Sequence, residues 1–184
     1  MKITINRADP FDDTMATAIF HHKDWAGDWI LETINTAVAD GGGSLWLEEL
    51  LELNTQQIVI PQSDARYVKL DIYAIAVNNG RRVYVNVEIQ LENTIIMTDR
   101  SFLHLADILN RYSQDLKGAS TVDFYKGFPY LIAINLLDYV IPEISGDVHE
   151  VIKLCDVNTG KPATDKVEIH NIQLPQLTSE NFDP

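Results

Sequence analysis

The chain has 184 residues, 46% hydrophobic and 22% charged, an ordinary globular composition with enough length for one domain around a buried core. Its 27 acidic residues outweigh 14 Lys and Arg, for a formal net charge of −13. That balance argues against a domain that grips nucleic acid by bulk electrostatics, because phosphates are neutralised by Lys and Arg, unless part of the acid is a metal site. No apolar run approaches the ~20 residues of a membrane span, and the amino terminus MKITINRADPFDD is too acidic for a signal peptide. A soluble cytoplasmic protein that engages no membrane is expected. The single Cys155 has no partner for a disulfide or a zinc knuckle, and is expected as a buried strand thiol.

Helical spacing runs from Asp12 to His22 and again from Trp25 to Asp40, where Trp25, Trp29, Ile30, Ile34 and Val38 share a stripe. Gly41, Gly42 and Gly43 stop the second helix. No strand precedes them and no Lys-Ser or Lys-Thr follows, so they are not a phosphate loop. Ser44 has the chemistry of an N-cap, and SLWLEELLEL predicts a short amphipathic helix. From Gln56 to Leu91 the pattern turns to period two with β-branched and aromatic residues: QQIVI, RYVKLDIYAIAV and RVYVNVEIQL. Asn79-Gly80 is a type I′ turn signal that joins the last two as a hairpin.

A long helix follows from about Thr94 to Gly118, with Phe102, Leu105, Ala106, Leu109, Tyr112 and Leu116 on its apolar side. FPYLIAINLL is apolar on both faces and is expected at the centre of the sheet. HEVIKLCDV and DKVEIHNIQL, separated by NTGKPATD, add two strands, on which His149 and His170 are expected at the strand surface. The polar, Pro-bearing QLPQLTSENFDP reads as the start of a linker. The expected organisation is therefore one α/β domain over residues 1–175 and a polar tail over 176–184.

The hairpin carries the chemistry. Lys69, Asp71 and Tyr73 share one face of its first strand, and Tyr84, Asn86, Glu88 and Gln90 share one face of its second. A two-residue turn at Asn79-Gly80 pairs Asn78 with Arg81 and Val77 with Arg82, and the same register sets Asp71 against Glu88 and Lys69 against Gln90. Opposed carboxylates have Cβ atoms only ~4.5–5.5 Å apart and repel unless something lies between them. A divalent cation with hard oxygen ligands, Mg²⁺ or alternatively Mn²⁺, suits that place. The competing reading is a solvated sheet surface, or a carboxylate protonated or paired with Lys69. Gln90 carries no charge and is no base, so its expected role is to orient a water or a phosphate oxygen, with Lys69 supplying the positive charge.

The stretch KLDIYAIAVNNGRRVYVNVEIQ resembles the core of the PD-(D/E)XK nuclease family transposases, the Rpn or YhgA-like recombination-promoting nucleases, in which LD is followed after about sixteen residues by E-x-Q. Arg100, the QDLKG of Gln114 to Gly118, the segment Tyr125 to Pro129 and the late VEIHNIQLP fall in the order of that family. The likeness spans Asp13 to about Pro175. It implies a restriction-endonuclease-like mixed central sheet flanked by helices, Mg²⁺-dependent DNA endonuclease activity and a link to transposition or recombination. Asp71 and Glu88 would be metal ligands, the backbone carbonyl of Ile89 would complete the shell, and Gln90 would stand where many related nucleases have Lys. In the first helix Asp13 and Phe20 fit the family pattern, whereas Ala16 and Thr17 replace its Phe-Lys pair.

Arg100 is placed either to reach a substrate phosphate or to form a helix-surface salt bridge, and His104 is expected as a partly buried helix histidine. His21 and His22 are adjacent and lack zinc-ligand spacing, while Asp12 and Asp13 suit the start of the first helix. The leading expectation is an endonuclease acting on DNA, with a homodimer as a second form of association. A non-catalytic partner-binding or regulatory protein on the same fold is the alternative, and RNA is not distinguished from DNA.

Overall fold

A computed structural model describes residues 23–59, 68–90, 97–115, 120, 122, 126–141 and 147–176. The expected first helix, with Asp12, Asp13, Ala16, Thr17, Phe20, His21 and His22, lies outside the described residues, as do 94–96, 116–118, Tyr125 and the tail from 177.

Helix α1 (Lys23–Ala39) buries Ala26, Ile30, Ile34 and Ala37, with Trp29 and Leu31 partly buried beside them, while Trp25 is 51% exposed. The buried stripe is thus one residue round from the expected one at the first turn, because Ala26 fits against the sheet where an indole would not. The helix ends as Gly41 takes φ +82° and Gly42 and Gly43 donate back to the Ala37 carbonyl, at 3.0 and 2.9 Å.

The segment expected as an amphipathic helix from Ser44 is instead extended and runs into β1 (Glu49–Val59). Leu45 and Leu47 are buried with Trp46 exposed between them, a period of two. Asn35 of α1 fixes this path: its amide donates to the Leu47 carbonyl (2.9 Å) and accepts from the Leu47 N–H (2.7 Å), as a neighbouring strand would. Ser44 caps nothing; its N–H donates to Glu168 and its hydroxyl accepts from Lys153.

β1 pairs antiparallel with β2 (Val68–Asn78), with an irregularity between Leu50 and Glu52, and β2 pairs antiparallel with β3 (Arg81–Gln90). Asn79 and Gly80 both have positive φ, 48° and 71°, which is the type I′ hairpin the sequence signals. After helix α2 (Met97–Asp115), β4 (Tyr130–Leu137) lies parallel to β3 and is buried along its whole length. β5 (His149–Lys153) and β6 (Val167–Gln173) complete a six-stranded mixed sheet in the order β1-β2-β3-β4-β6-β5. No helix among the described residues is long and apolar enough to cross a membrane.

Helix α1 covers one face of the sheet, over Ile72, Ala74, Val85, Val87, Ile132 and Ile134. Helix α2 covers the other, with Leu105 and Ile108 on Tyr73, Ile75, Tyr84, Leu131 and Ala133. α2 presents the expected stripe only in part: Leu105, Leu109 and Tyr112 pack on the sheet. Phe102 is 38% exposed and Ala106 is exposed, while Ser101 and His104 are buried against the sheet.

Two further expectations are corrected. Cys155 is exposed, held only by an isolated bridge to Pro162 past the end of β5, so it is not a core thiol. His170 is fully buried and His149 half-buried, because the segment following α1 folds over the β5–β6 edge. His149 Nε2 lies 3.0 Å from His170 Nδ1, and His170 Nε2 lies 3.3 Å from Glu168. Burial, with His170 alongside, lowers the His149 pKa to about 4, against an opposing pull from Asp40. Burial alone would raise Glu168, but His170, Lys153 and the Ser44 N–H hold its carboxyl below the ordinary value.

Candidate active site

Strand β3 alternates, so Tyr84, Asn86, Glu88 and Gln90 all face α2, while Val85, Val87 and Ile89 pack toward α1. Glu88 is 1% exposed. A carboxylate so buried costs several kcal/mol unless its oxygens are paired, and here both are. Oε2 takes a 2.7 Å ion pair from the Arg100 guanidinium, and Oε1 lies 3.0 Å from His104 Nδ1 and 3.2 Å from the Asn86 amide. The other guanidinium nitrogen of Arg100 donates to Gln90 Oε1 at 2.7 Å, so one planar group clamps both residues of the E-x-Q motif. Asn86 Nδ2 is also 3.2 Å from His104 Nδ1. A proton on that ring nitrogen satisfies Glu88, whereas a bare lone pair would face the carboxylate; hydrogen-bond logic therefore assigns Nδ1 as the donor.

The helix that delivers Arg100 and His104 is itself tied to the sheet. Ser101 donates to the Met97 carbonyl (2.9 Å), and Asn135 of β4 donates to the Ser101 hydroxyl (2.9 Å) and to Asn171 of β6 (2.8 Å). Glu88, Asn135, Asn171 and Glu150 are successive register partners across β3, β4, β6 and β5, a polar row through the sheet. Nearby, Tyr139 has a buried hydroxyl without a hydrogen-bond partner among the described residues. Burial raises its pKa against the pull of the Arg100 charge.

The structure brings together Glu88, Gln90 and Arg100 of the expected site. The β2–β3 ladder runs from Asn78↔Arg81 to Ile72↔Val87, as the turn requires. The ladder ends there: the expected pairings of Asp71 with Glu88 and of Lys69 with Gln90 lie beyond its last pair, and the side chains of Asp71 and Lys69 lie outside the described residues. Asn86 lies on the face the alternation assigns to the chemistry, whereas Ser101, Asn135, Asn171 and Tyr139 carry no role in the sequence reading. The available signal was Asn135, the lone polar residue of YLIAINLL, a strand read as apolar on both faces.

Among the described residues no three or more His, Cys, Asp or Glu cluster as a metal site. The donor set still fits a hard cation: the Glu88 carboxylate, the Gln90 amide oxygen and the carbonyl of Ile89 between them are all oxygens, and the first two already accept a positive group in Arg100.

No curated protein and no solved structure matches the chain. The family model described as PD-(D/E)XK nuclease family transposase matches residues 47–182, which takes in the hairpin, α2 and all of β4 to β6. With a mixed sheet between two helices and D…E-x-Q laid along one hairpin, the chain belongs to the PD-(D/E)XK nuclease family transposases and has their restriction-endonuclease-like α/β fold.

Proposed function

We propose that the protein is a divalent-metal-dependent endonuclease that hydrolyses phosphodiester bonds of DNA in transposition or recombination, in the cytoplasm. The observation that carries this reading is Glu88: a carboxylate buried to 1% exposure, on the strand paired with the one that bears Asp71, and held in one orientation by Arg100, His104 and Asn86. Such rigid positioning is what a reaction limited by orientation and charge stabilisation requires.

Asp71, Glu88 and the Ile89 carbonyl would hold Mg²⁺ or Mn²⁺, whose chemistry is Lewis-acid stabilisation of phosphoryl charge and a lowered pKa for water. Gln90 orients a water or a phosphate oxygen through its amide. Arg100, 27% exposed, compensates Glu88 from the solvent side and is the cation nearest an incoming phosphate. His104 and Asn86 keep Glu88 Oε1 fixed from beneath. Lys69 adds positive charge beside Gln90.

Plasmid nicking with Mg²⁺, Mn²⁺ or EDTA tests this. The unaltered protein is expected to nick with metal and not with EDTA, and Asp71→Ala and Glu88→Ala to be inactive. No cutting under any metal, or equal cutting by the alanine proteins, overturns the reading in favour of a non-catalytic partner-binding protein, which the net charge of −13 otherwise favours.

A further inference from the structure

An acidic nuclease still has to hold a polyanion, and the cations are not spread evenly. Helix α2 runs back along β3, so that Arg100 meets Glu88 at one end while Tyr112 meets Tyr84 at the other, with ring centroids 5.7 Å apart. At that second end lies a cleft of about 240 Å³ between the hairpin turn and the segment entering β4, lined by Arg81, Arg82, Tyr112, Lys126, Phe128 and Tyr130.

Arg81, Arg82 and Lys126 are exposed, and none has a carboxylate partner within ion-pair distance among the described residues. By contrast Arg100 is paired with Glu88 and Lys153 with Glu168. The cleft wall is fixed. The Tyr112 hydroxyl donates to the Gly127 carbonyl at 2.6 Å, and Lys166 donates to the Phe128 carbonyl at 3.2 Å. The Lys166 ammonium also sits 5.6 Å from the Phe128 ring centre and 5.9 Å from that of Tyr130, adding a further positive charge behind the aromatic wall.

We infer that this basic cleft is a phosphate-backbone docking surface for duplex DNA, set apart from the reacting centre on the same β3–α2 layer. Three cations at separate points of a rim suit successive phosphates better than one small anion. The separation follows from strand geometry: six residues from Arg82 to Glu88, at ~3.3 Å each, is about 20 Å, or about six base pairs at ~3.4 Å per step. A duplex cut at Glu88 would therefore lie across the cleft with its flank, and the net negative charge of the chain would be offset where the flank touches. The inference rests on the nuclease reading for its choice of ligand and for the direction in which the duplex runs.

The test is equilibrium binding of a 20-base-pair duplex followed by fluorescence anisotropy at graded salt, with EDTA present so that nothing is cut. Arg81→Glu/Arg82→Glu and, separately, Lys126→Ala are compared with the unaltered protein, with Mn²⁺ affinity and thermal melting as controls for the site and the fold. The charge-reversed protein is expected to bind at least about tenfold more weakly, and its dependence of log K on log salt to be shallower by about 2. The single substitution is expected to reduce that slope by about 1. Melting and Mn²⁺ affinity stay unchanged, and a six-base-pair duplex no longer distinguishes the proteins. Equal affinity and slope in all three proteins, or no duplex binding by the unaltered one, overturns the docking surface. Binding that depends on the cleft, together with no plasmid nicking under Mg²⁺ or Mn²⁺, would instead remove the nuclease reading and leave the surface standing.

Discussion

The two faces of the sheet are built from the same strands and do opposite work. Toward α1, strands β2, β3 and β4 present Ile72, Ala74, Val85, Val87, Ile132 and Ile134, an unbroken apolar layer. Toward α2, the layer is apolar only at one end, around Tyr73, Ile75, Tyr84 and Leu131, and then gives way to Asn86, Glu88, Asn135 and Asn171. Alternation along a strand allows this, since a change on one face leaves the other intact. A charged and polar row can be carried in the core because the opposite face supplies the cohesion.

That division is sharpened most by Glu88→Gln. Removing the charge is expected to lower cleavage by at least about a thousandfold, roughly 4 kcal/mol in barrier, with a lower melting temperature because Arg100 loses its carboxylate partner. Cleavage within tenfold of the unaltered rate would break the division. The mirror experiment is Ile132→Ala on the α1 face, where a fully buried side chain is lost. It should cost about 3 kcal/mol of unfolding free energy and leave Mn²⁺ affinity per folded molecule unchanged; a denaturant midpoint close to that of the unaltered protein contradicts it.

Asn135→Leu, of similar volume, is expected to weaken Mn²⁺ binding about tenfold, since Ser101 loses its tie to the sheet and the turn bearing Arg100 loosens. A merely structural Asn135 would change melting and leave metal affinity alone. A smaller effect comes from the β5–β6 edge. His149 has its pKa depressed from 6.5 to about 4, so the unfolded chain takes up a proton that the folded one refuses. Stability from this group is full above pH 6.5 and is lost as pH falls toward 4, with Glu168, whose pKa is also lowered, adding to the loss below its ordinary value. A melting temperature several degrees lower at pH 4.5 than at pH 7 is expected, flattened in His149→Phe; an unaltered slope in that variant contradicts it. Cys155→Ser, at an exposed thiol, should shift stability by less than about 0.5 kcal/mol.

What could be read from the residues follows the range of the forces involved. The Asn79-Gly80 turn is local, and it sets the β2–β3 register from Asn78↔Arg81 to Ile72↔Val87. The burial of β4 was equally legible, because eight apolar-rich residues admit no solvent face. Ser44 to Leu53 was not legible as a strand: its leucines fit either period, and the decision lies with Asn35 and the edge of β2, both remote in sequence. The face of α2 was misjudged for a related reason. Counting apolar residues turns Phe102 and Ala106 inward and leaves Ser101 outward, and the partner Asn135 reverses this for Ser101. His170 looked like a strand-surface residue because nothing local reveals the segment that folds over it.

The direct test of a cation at the head of the polar row is a calorimetric Mn²⁺ titration of the unaltered protein, Asp71→Asn and Glu88→Gln. Saturable binding at one site, abolished by both substitutions, is the predicted result; equal affinity in all three proteins contradicts a metal held between Asp71 and Glu88.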